Sequence, residues 1–187
     1  MFEYTDITVE DLPYLVYLYE TYLDSGEYIR EVLEEGFRAP GYMGVKCMDG
    51  DKVVGVFTAR PGIIFTGEHE ELIAKISEEW GEYDLFTGDI LVVLPEYRNQ
   101  GIARQLSVEL RERLKALGCD RLIAEAWRRS EDADIPASGI MKYLGKETVI
   151  GVYDDFYRDF RGHGITCPDC GDEDCSCGAV IYIIDIT

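Results

Sequence analysis

The sequence predicts an α/β (α+β) fold, with strands and helices interleaved along one chain, and three observations carry that prediction. Ile90–Leu94 is an unbroken apolar run, Ile102–Leu117 has helical apolar spacing, and a short polar loop lies between them, which reads as strand, tight loop, helix. Tyr42–Met48 and Val53–Arg60 read as two strands joined by Asp49-Gly50-Asp51, a hairpin signal. The 187 residues, 47% of them hydrophobic, suffice for one full core, and no repeat or low-complexity linker divides them. Residues 1–187 therefore read as a single domain.

Taken in order, residues 2–8 suggest a short strand. Glu10–Leu23 places Leu12, Leu15, Val16, Leu18, Tyr19 and Tyr22 at mostly helical spacing. Ser25 is placed to cap a second helix with Tyr28, Ile29, Val32 and Leu33 on its apolar face, and Gly36 to help end it. After the hairpin, Glu68–Trp80 reads as a helix with Leu72, Ile73, Ile76 and Trp80 on one face. The strand ending at Leu94, the polar loop and the helix to Leu117 follow, with Gly118 as a C-cap. Arg121–Trp127 is the next strand, Pro136–Leu144 a short helix ended by Gly145, and Glu147–Phe156 and Ala179–Ile186 the last two strands.

Composition narrows the function. Acids outnumber bases 37 to 18, a formal net charge of −19, so the surface repels phosphate backbones and direct nucleic-acid binding is not expected. Acid excess with scarce Lys resembles the surface of proteins from concentrated salt; it equally suits a basic substrate, and most of these carboxylates read simply as solvated. No apolar run reaches 18 residues and the acidic start, Met-Phe-Glu-Tyr-Thr-Asp, lacks a secretory pattern, so the expectation is a cytoplasmic protein without membrane contact. Cys47 and Cys119 stand alone in apolar surroundings and read as buried thiols.

The loop carries the chemistry. Arg98-Asn99-Gln100-Gly101-Ile102-Ala103 fits Arg/Gln-x-x-Gly-x-Gly/Ala between a strand and a helix. Small residues there let backbone N–H groups of the helix start face a ligand, and with the helix dipole they favour a pyrophosphate. A Walker loop is disfavoured because no Gly-Lys-Ser/Thr follows, and a Rossmann fingerprint because one glycine stands where three are wanted. The longer form, Val93-x-Pro95-x-Tyr97-Arg98-x-x-Gly101-x-Ala103, resembles the acyl-CoA-binding motif of the GCN5-related N-acetyltransferase (GNAT) superfamily. The element order matches that superfamily over nearly the whole chain. The resemblance implies the acyl-CoA N-acyltransferase fold, a mixed, mostly antiparallel sheet of about seven strands flanked by helices. The helix at 68–80 and the long connection 157–178 between the last two strands depart from the family pattern.

The resemblance also implies roles. The strand before the loop would splay from its neighbour, with Leu91 and Val93 at the positions whose backbone pairs with the pantetheine arm of acetyl-CoA. N–H groups of Arg98, Asn99, Gln100, Gly101, Ile102, Ala103 and Arg104 would meet the pyrophosphate, and the Arg98 side chain either binds phosphate or is solvated. Transfer to an amine needs a neutral amine, donors for the tetrahedral oxyanion, here the Val93 N–H, and a proton for the thiolate. Glu125, in Ile123-Ala124-Glu125-Ala126-Trp127, resembles the strand glutamate that serves as base in ribosomal-protein N-terminal acetyltransferases. The alternative is a solvated strand position. Asp89, read on the same face as Leu91 and Val93, is the rival base. The family's usual tyrosine near the CoA sulfur aligns with Met141, and Tyr143 sits about 200° further round the helix. Tyr14, Tyr17, Tyr19, Tyr22 and Tyr28 fall where the family lines its acceptor pocket, or pack as ordinary amphipathic faces. The resemblance implies acetyl transfer to a primary amine, of a small molecule or a protein N-terminus, by direct attack in a ternary complex, leaves the acceptor open, and allows a homodimer. Two other readings stay open: a non-catalytic acyl-CoA-binding regulatory domain, and an interaction module docking through its cysteine loop.

That loop is the connection's main feature. Cys167-Pro-Asp-Cys170-Gly and Cys175-Ser-Cys177-Gly resemble a zinc knuckle, and four thiolates suit a closed, structural, tetrahedral zinc site. His163 is a substitute ligand. An iron–sulfur centre, a redox dithiol and disulfides are the alternatives, the last disfavoured in a reducing compartment.

Overall fold

The computed structural model describes the chain except residues 24, 27, 66–68, 82–84, 130–134, 136, 159–165, 172–174 and 187. Its strands are β1 Glu3–Asp6, β2 Met43–Asp49, β3 Lys52–Pro61, β4 Leu85–Val93, β5 Arg121–Arg128, β6 Lys146–Tyr153 and β7 Gly178–Asp185. Its helices are α1 Leu12–Tyr22, α2 Ile29–Arg38, α3 Glu70–Trp80, α4 Ile102–Ala116 and the single turn α5 Ser138–Met141. The strands form one seven-stranded sheet in the order β1-β2-β3-β4-β5-β7-β6, and only β4–β5 is parallel. This is the mixed, mostly antiparallel sheet that the resemblance implies. Among the described residues no helix is long and apolar enough to cross a membrane.

The two faces of the sheet carry different partners. Gly55, Phe57, Gly88 and Leu91 face α4: a Cβ on Gly55 would lie 3.3 Å from Ile102. Ile102, Leu106, Leu110 and Leu114 line α4 at helical spacing and are fully buried. On the opposite face, Tyr42 lies over Thr58 and Arg60 and receives Gly36 of α2, where a Cβ would come 3.6 Å from the ring. Further along that face, Leu72 and Ile76 of α3 join Ile123, Ile181, Ile183 and three buried cysteines in a second apolar cluster.

Several boundaries differ from the sequence reading for identifiable reasons. Strand β4 starts at Leu85, before the apolar run, because Thr87 is buried with its hydroxyl donating to the Gly62 carbonyl at 2.7 Å and accepting from the Ile64 N–H at 3.1 Å. Helix α2 runs through Gly36 to Arg38, since the glycine's missing side chain makes room for Tyr42. Ser25 caps no helix; it forms an isolated backbone bridge with Thr166. Strand β6 stops at Tyr153, where the chain turns through Asp155 at φ +53°. Gly145 does follow α5, and its reason is close approach: a Cβ there would lie 2.0 Å from the Asp185 carbonyl. Pro136 and Glu68, read as helix starts, lie outside the described residues, and α3 begins at Glu70.

Candidate functional site

The site begins where a strand pair ends. β4 and β5 are paired from Leu85–Arg121 to Gly88–Ala124 and no further. The cause is a bulge in β4: Phe57 opposes Leu91 and Ala59 opposes Gly88, so Asp89 and Ile90 together face Thr58. The Ile90 N–H bonds the Thr58 hydroxyl at 3.1 Å in place of a backbone carbonyl. Beyond the bulge, Leu94 N–H donates to Val54 C=O. Antiparallel alternation then makes Val93 and Leu91 non-hydrogen-bonded partners of β3, so their N–H and C=O groups point into the gap beside β5. Phe57, Gly88, Asp89 and Leu91 line one wall of the cleft, Ala124 and Glu125 the other, and Met141 of α5 helps close it.

The loop lies at the open end of this gap. Pro95–Tyr97 form a 3-10 turn, Asn99 and Gly101 take left-handed conformations at φ 61° and 81°, and Gly101 directly precedes α4. Glycine adopts that conformation without strain, and open space surrounds its Cα. The first-turn N–H groups of Ile102, Ala103 and Arg104 have no intrahelical acceptor, and that turn carries no acid. The Arg98 side chain is used elsewhere: its Nε donates to the Val93 carbonyl at 3.1 Å and its guanidinium lies 5.9 Å from the Tyr22 ring centre. It braces the end of β4, so the loop presents backbone.

Glu125 and Asp89 sit at the narrow end of the gap in different circumstances. Glu125 follows the last β4–β5 pair and accepts a 2.7 Å hydrogen bond from the Tyr157 hydroxyl. Tyr157 is buried against Trp127 and Phe156. Its role was not legible in the sequence, because the strand reading continued to Phe156 and hid the turn that swings it inward. Asp89 is not on the face of Leu91 and Val93. The bulge rotates it to the face of Thr58, where its carboxylate meets Arg60 at 2.5 Å and both side chains are largely buried. Met141 lines the cleft, whereas Tyr143 does not: its ring lies 5.2 Å from the Arg104 guanidinium.

Of the helical tyrosines, Tyr14 is committed to structure through its hydroxyl bond to the Val53 carbonyl, Tyr17 is exposed, and Tyr22 packs beneath Arg98. Cys47 and Cys119 are buried thiols.

The other four cysteines converge. The Sγ atoms of Cys167, Cys170, Cys175 and Cys177 all lie within 4.8 Å of one another, with Cys170–Cys177 at 3.5 Å. Backbone N–H groups of Asp169 and Cys170 point at Cys167 Sγ at 3.4 Å, and that of Cys177 at Cys175 Sγ at 3.3 Å. Burial pushes the Cys177 thiol up. The end of β5 wraps the cluster: the Arg129 carbonyl lies 3.5 Å from Cys177 Sγ, and its guanidinium pairs with Asp169 at 2.8 Å. His163 lies outside the described residues.

Comparison with known proteins agrees with the fold. The acetyltransferase (GNAT) family matches residues 14–135, more than half of the chain. Ribosomal-protein-S18-alanine N-acetyltransferase from Escherichia coli is similar over 100% of this chain and 95% of its own, with TM-score 0.67 and 16% identity. NAA60 from Arabidopsis thaliana, in complex with acetyl-CoA, is similar over 100% of this chain and 99% of its own, with TM-score 0.69 and 17% identity. A phosphinothricin acetyltransferase from Sinorhizobium meliloti in complex with AcCoA aligns over 98% of this chain and 89% of its own, with TM-score 0.64 and 18% identity. No curated protein shows significant sequence similarity to the chain.

The Arg60–Asp89 pair yields a prediction. Asp89→Asn leaves a largely buried guanidinium without its counter-charge, and loss of one partner from such a pair costs several kcal/mol when fully buried. At this partial burial the expected loss is about 2 kcal/mol of unfolding free energy, read as a lower denaturation midpoint. An unchanged midpoint would show that the pair contributes nothing to stability.

Proposed function

The chain belongs to the acetyltransferase (GNAT) family, and from that premise we propose that it moves an acetyl group from acetyl-CoA to a primary amine by direct attack in a ternary complex. The acceptor class is a small-molecule amine or a protein N-terminus. One observation carries this reading: the gap between β4 and β5 has helix-start N–H groups at one end and a hydrogen-bonded carboxylate at the other.

The pyrophosphate of acetyl-CoA meets the backbone of residues 98–104, and the pantetheine arm pairs with the outward-facing groups of Leu91 and Val93. Leu91 is the better oxyanion donor of the two. It lines the cleft with Glu125 and Met141, whereas Val93 lies next to the loop with its carbonyl taken by Arg98. Glu125 takes a proton from the acceptor ammonium, directly or through water, so that the neutral amine attacks the thioester carbonyl, and Tyr157 orients the carboxylate. Met141 has no proton to give, so water protonates the departing thiolate. Asp89, paired with Arg60, is assigned to holding the bulge, and Glu125 is preferred to it as the base. The acidic surface favours a cationic acceptor over an anionic one.

We assign the four thiols to one structural zinc. Tetrahedral ligation at about 2.3 Å places sulfurs about 3.8 Å apart, close to the spacing of the cluster. The inward N–H groups suit thiolate charge, as outer-shell donors to metal ligands do.

Three results test these readings. Gly101→Glu puts a carboxylate where phosphate binds and strains a left-handed backbone, so acetyl-CoA affinity by calorimetry falls at least about tenfold in the folded protein. Unchanged affinity would remove the loop from the site. Glu125→Gln lowers CoA release at neutral pH by about 10²–10⁴-fold. The loss shrinks as pH rises past the acceptor's own pKa, since free amine then needs no base; a pH-independent loss would reject the base role. Elemental analysis of protein purified under reducing conditions gives about one zinc per chain, and metal removal lowers the melting temperature. A visible charge-transfer band from iron would replace zinc with an iron centre.

A further inference from the structure

The cysteine centre lies on the same face of the sheet as Glu125, and its surroundings are tied to Glu125 and to the α1–α2 link. Register with β7 puts Glu125 on the face of Ile123 and Trp127, opposite Ala124 and Ala126. Ala124 lies on the α4 face with its partner Gly88, whereas the cysteines pack with Ile123, Ile181, α3 and Tyr157. The chain leaving β6 passes Tyr157, which bonds Glu125 at 2.7 Å. Immediately before Cys167, Thr166 exchanges two backbone hydrogen bonds with Ser25, in the link between α1 and α2: Ser25 N–H to Thr166 O at 3.2 Å and Thr166 N–H to Ser25 O at 3.0 Å.

These contacts matter because of where the two substrates approach. The thioester enters along the cleft closed by α5, on the α4 side. For a direct attack the amine must reach the carbonyl from the side where Glu125 projects. On that face Tyr157 packs in one apolar cluster with Cys167, Cys175 and Cys177, and Thr166, next to Cys167, is bonded to Ser25 of the α1–α2 link. The described contacts thus run from Glu125 through Tyr157 and the cysteine cluster to Thr166 and Ser25.

We propose that the cysteine centre is the anchor of the acceptor wall: with metal bound it holds Thr166 on Ser25 and Tyr157 on Glu125, and metal occupancy thereby controls the acceptor side while leaving the acetyl-CoA side unchanged. This rests on the reading of the four thiols as a metal centre. The metal touches neither substrate and does no chemistry. Its loss removes the link that gathers Cys167, Cys170, Cys175 and Cys177, whereas α4 and β4 keep their own core of Ile90, Val92, Leu106 and Leu110. Removing zinc from such an enzyme yields a protein that still binds acetyl-CoA and no longer positions an amine.

The test uses the full chain, with zinc, after removal of zinc by a chelator, and after zinc is restored. Amide hydrogen exchange is read at Ser25 and Thr166 and at the first turn of α4, acetyl-CoA affinity by calorimetry, and zinc content on the same samples. Cys170→Ser, at the least buried ligand, provides a metal-depleted centre without chelator. The expected result is a loss of protection of at least about tenfold at Ser25 and Thr166 in both metal-poor forms, with α4 protection and acetyl-CoA affinity unchanged and full reversal by zinc. Retained protection at Ser25 and Thr166 in protein shown to have lost zinc would overturn the inference and leave the metal assignment intact. Protein that never holds zinc would overturn both. Global unfolding or loss of acetyl-CoA binding on zinc removal would show that the centre supports the whole fold, and would overturn its restriction to the acceptor wall.

Discussion

The architecture of the site depends on one interrupted pairing. β4 and β5 are the single parallel pair of the sheet, and their ladder stops at Gly88–Ala124 because the bulge at Asp89–Ile90 redirects β4. Had the ladder continued, the backbone groups of Leu91 and Val93 would be consumed by β5, and there would be neither a gap for an extended thioester arm nor an opening beside Glu125. The bulge is stabilised by local chemistry: the Thr58 hydroxyl accepts the Ile90 N–H, and Arg60 neutralises Asp89. Backbone groups left unpaired in this way are costly to bury dry, which gives a ligand able to pair with them a ready-made binding surface.

The charge of the chain sharpens the point. A formal net charge of −19 opposes the approach of any polyphosphate. In the proposed reading the loop offsets this with backbone N–H groups and a helix dipole, which remain effective at short range where distant carboxylates are screened by salt. That the Arg98 side chain is bound to Val93 and lies against Tyr22 fits a site in which the backbone, more than side-chain charge, meets the phosphates. The opposite face of the sheet divides its work differently: α3, the cysteine cluster and Tyr157 form a second apolar cluster around the carboxylate.

The fold was legible wherever pattern and local chemistry coincide. The hairpin at Asp49-Gly50-Asp51, the apolar face of α4 and the loop at 98–104 are all contiguous signals, and the sheet assembles around them as the element order implies. What escaped the sequence was set by non-local contact. Gly36 looks like a helix stop until the Tyr42 ring is seen to need its space, and Ser25 looks like a cap until Thr166 is found opposite it. Period-2 reasoning put Asp89 with Leu91; one extra residue opposite Thr58 inverts that assignment, and no pattern within β4 itself announces the bulge. Tyr157 was hidden among 13 tyrosines because its importance comes from a turn at Asp155 and from a carboxylate 32 positions earlier. The cysteines were the opposite case: four thiols in so short a stretch constrain one another, and their convergence follows from the spacing.

The central claim, that the opening between β4 and β5 is where the acyl donor lies, is tested most directly by titrating isotope-labelled protein with acetyl-CoA and following backbone amide resonances. The account predicts that the largest shifts and the greatest gain in exchange protection fall on Leu91, Val93 and the N–H groups of Gly101 to Arg104, with Val92 and the β5–β7 ladder little changed. Saturable binding that leaves Leu91, Val93 and the first turn of α4 unperturbed would contradict it.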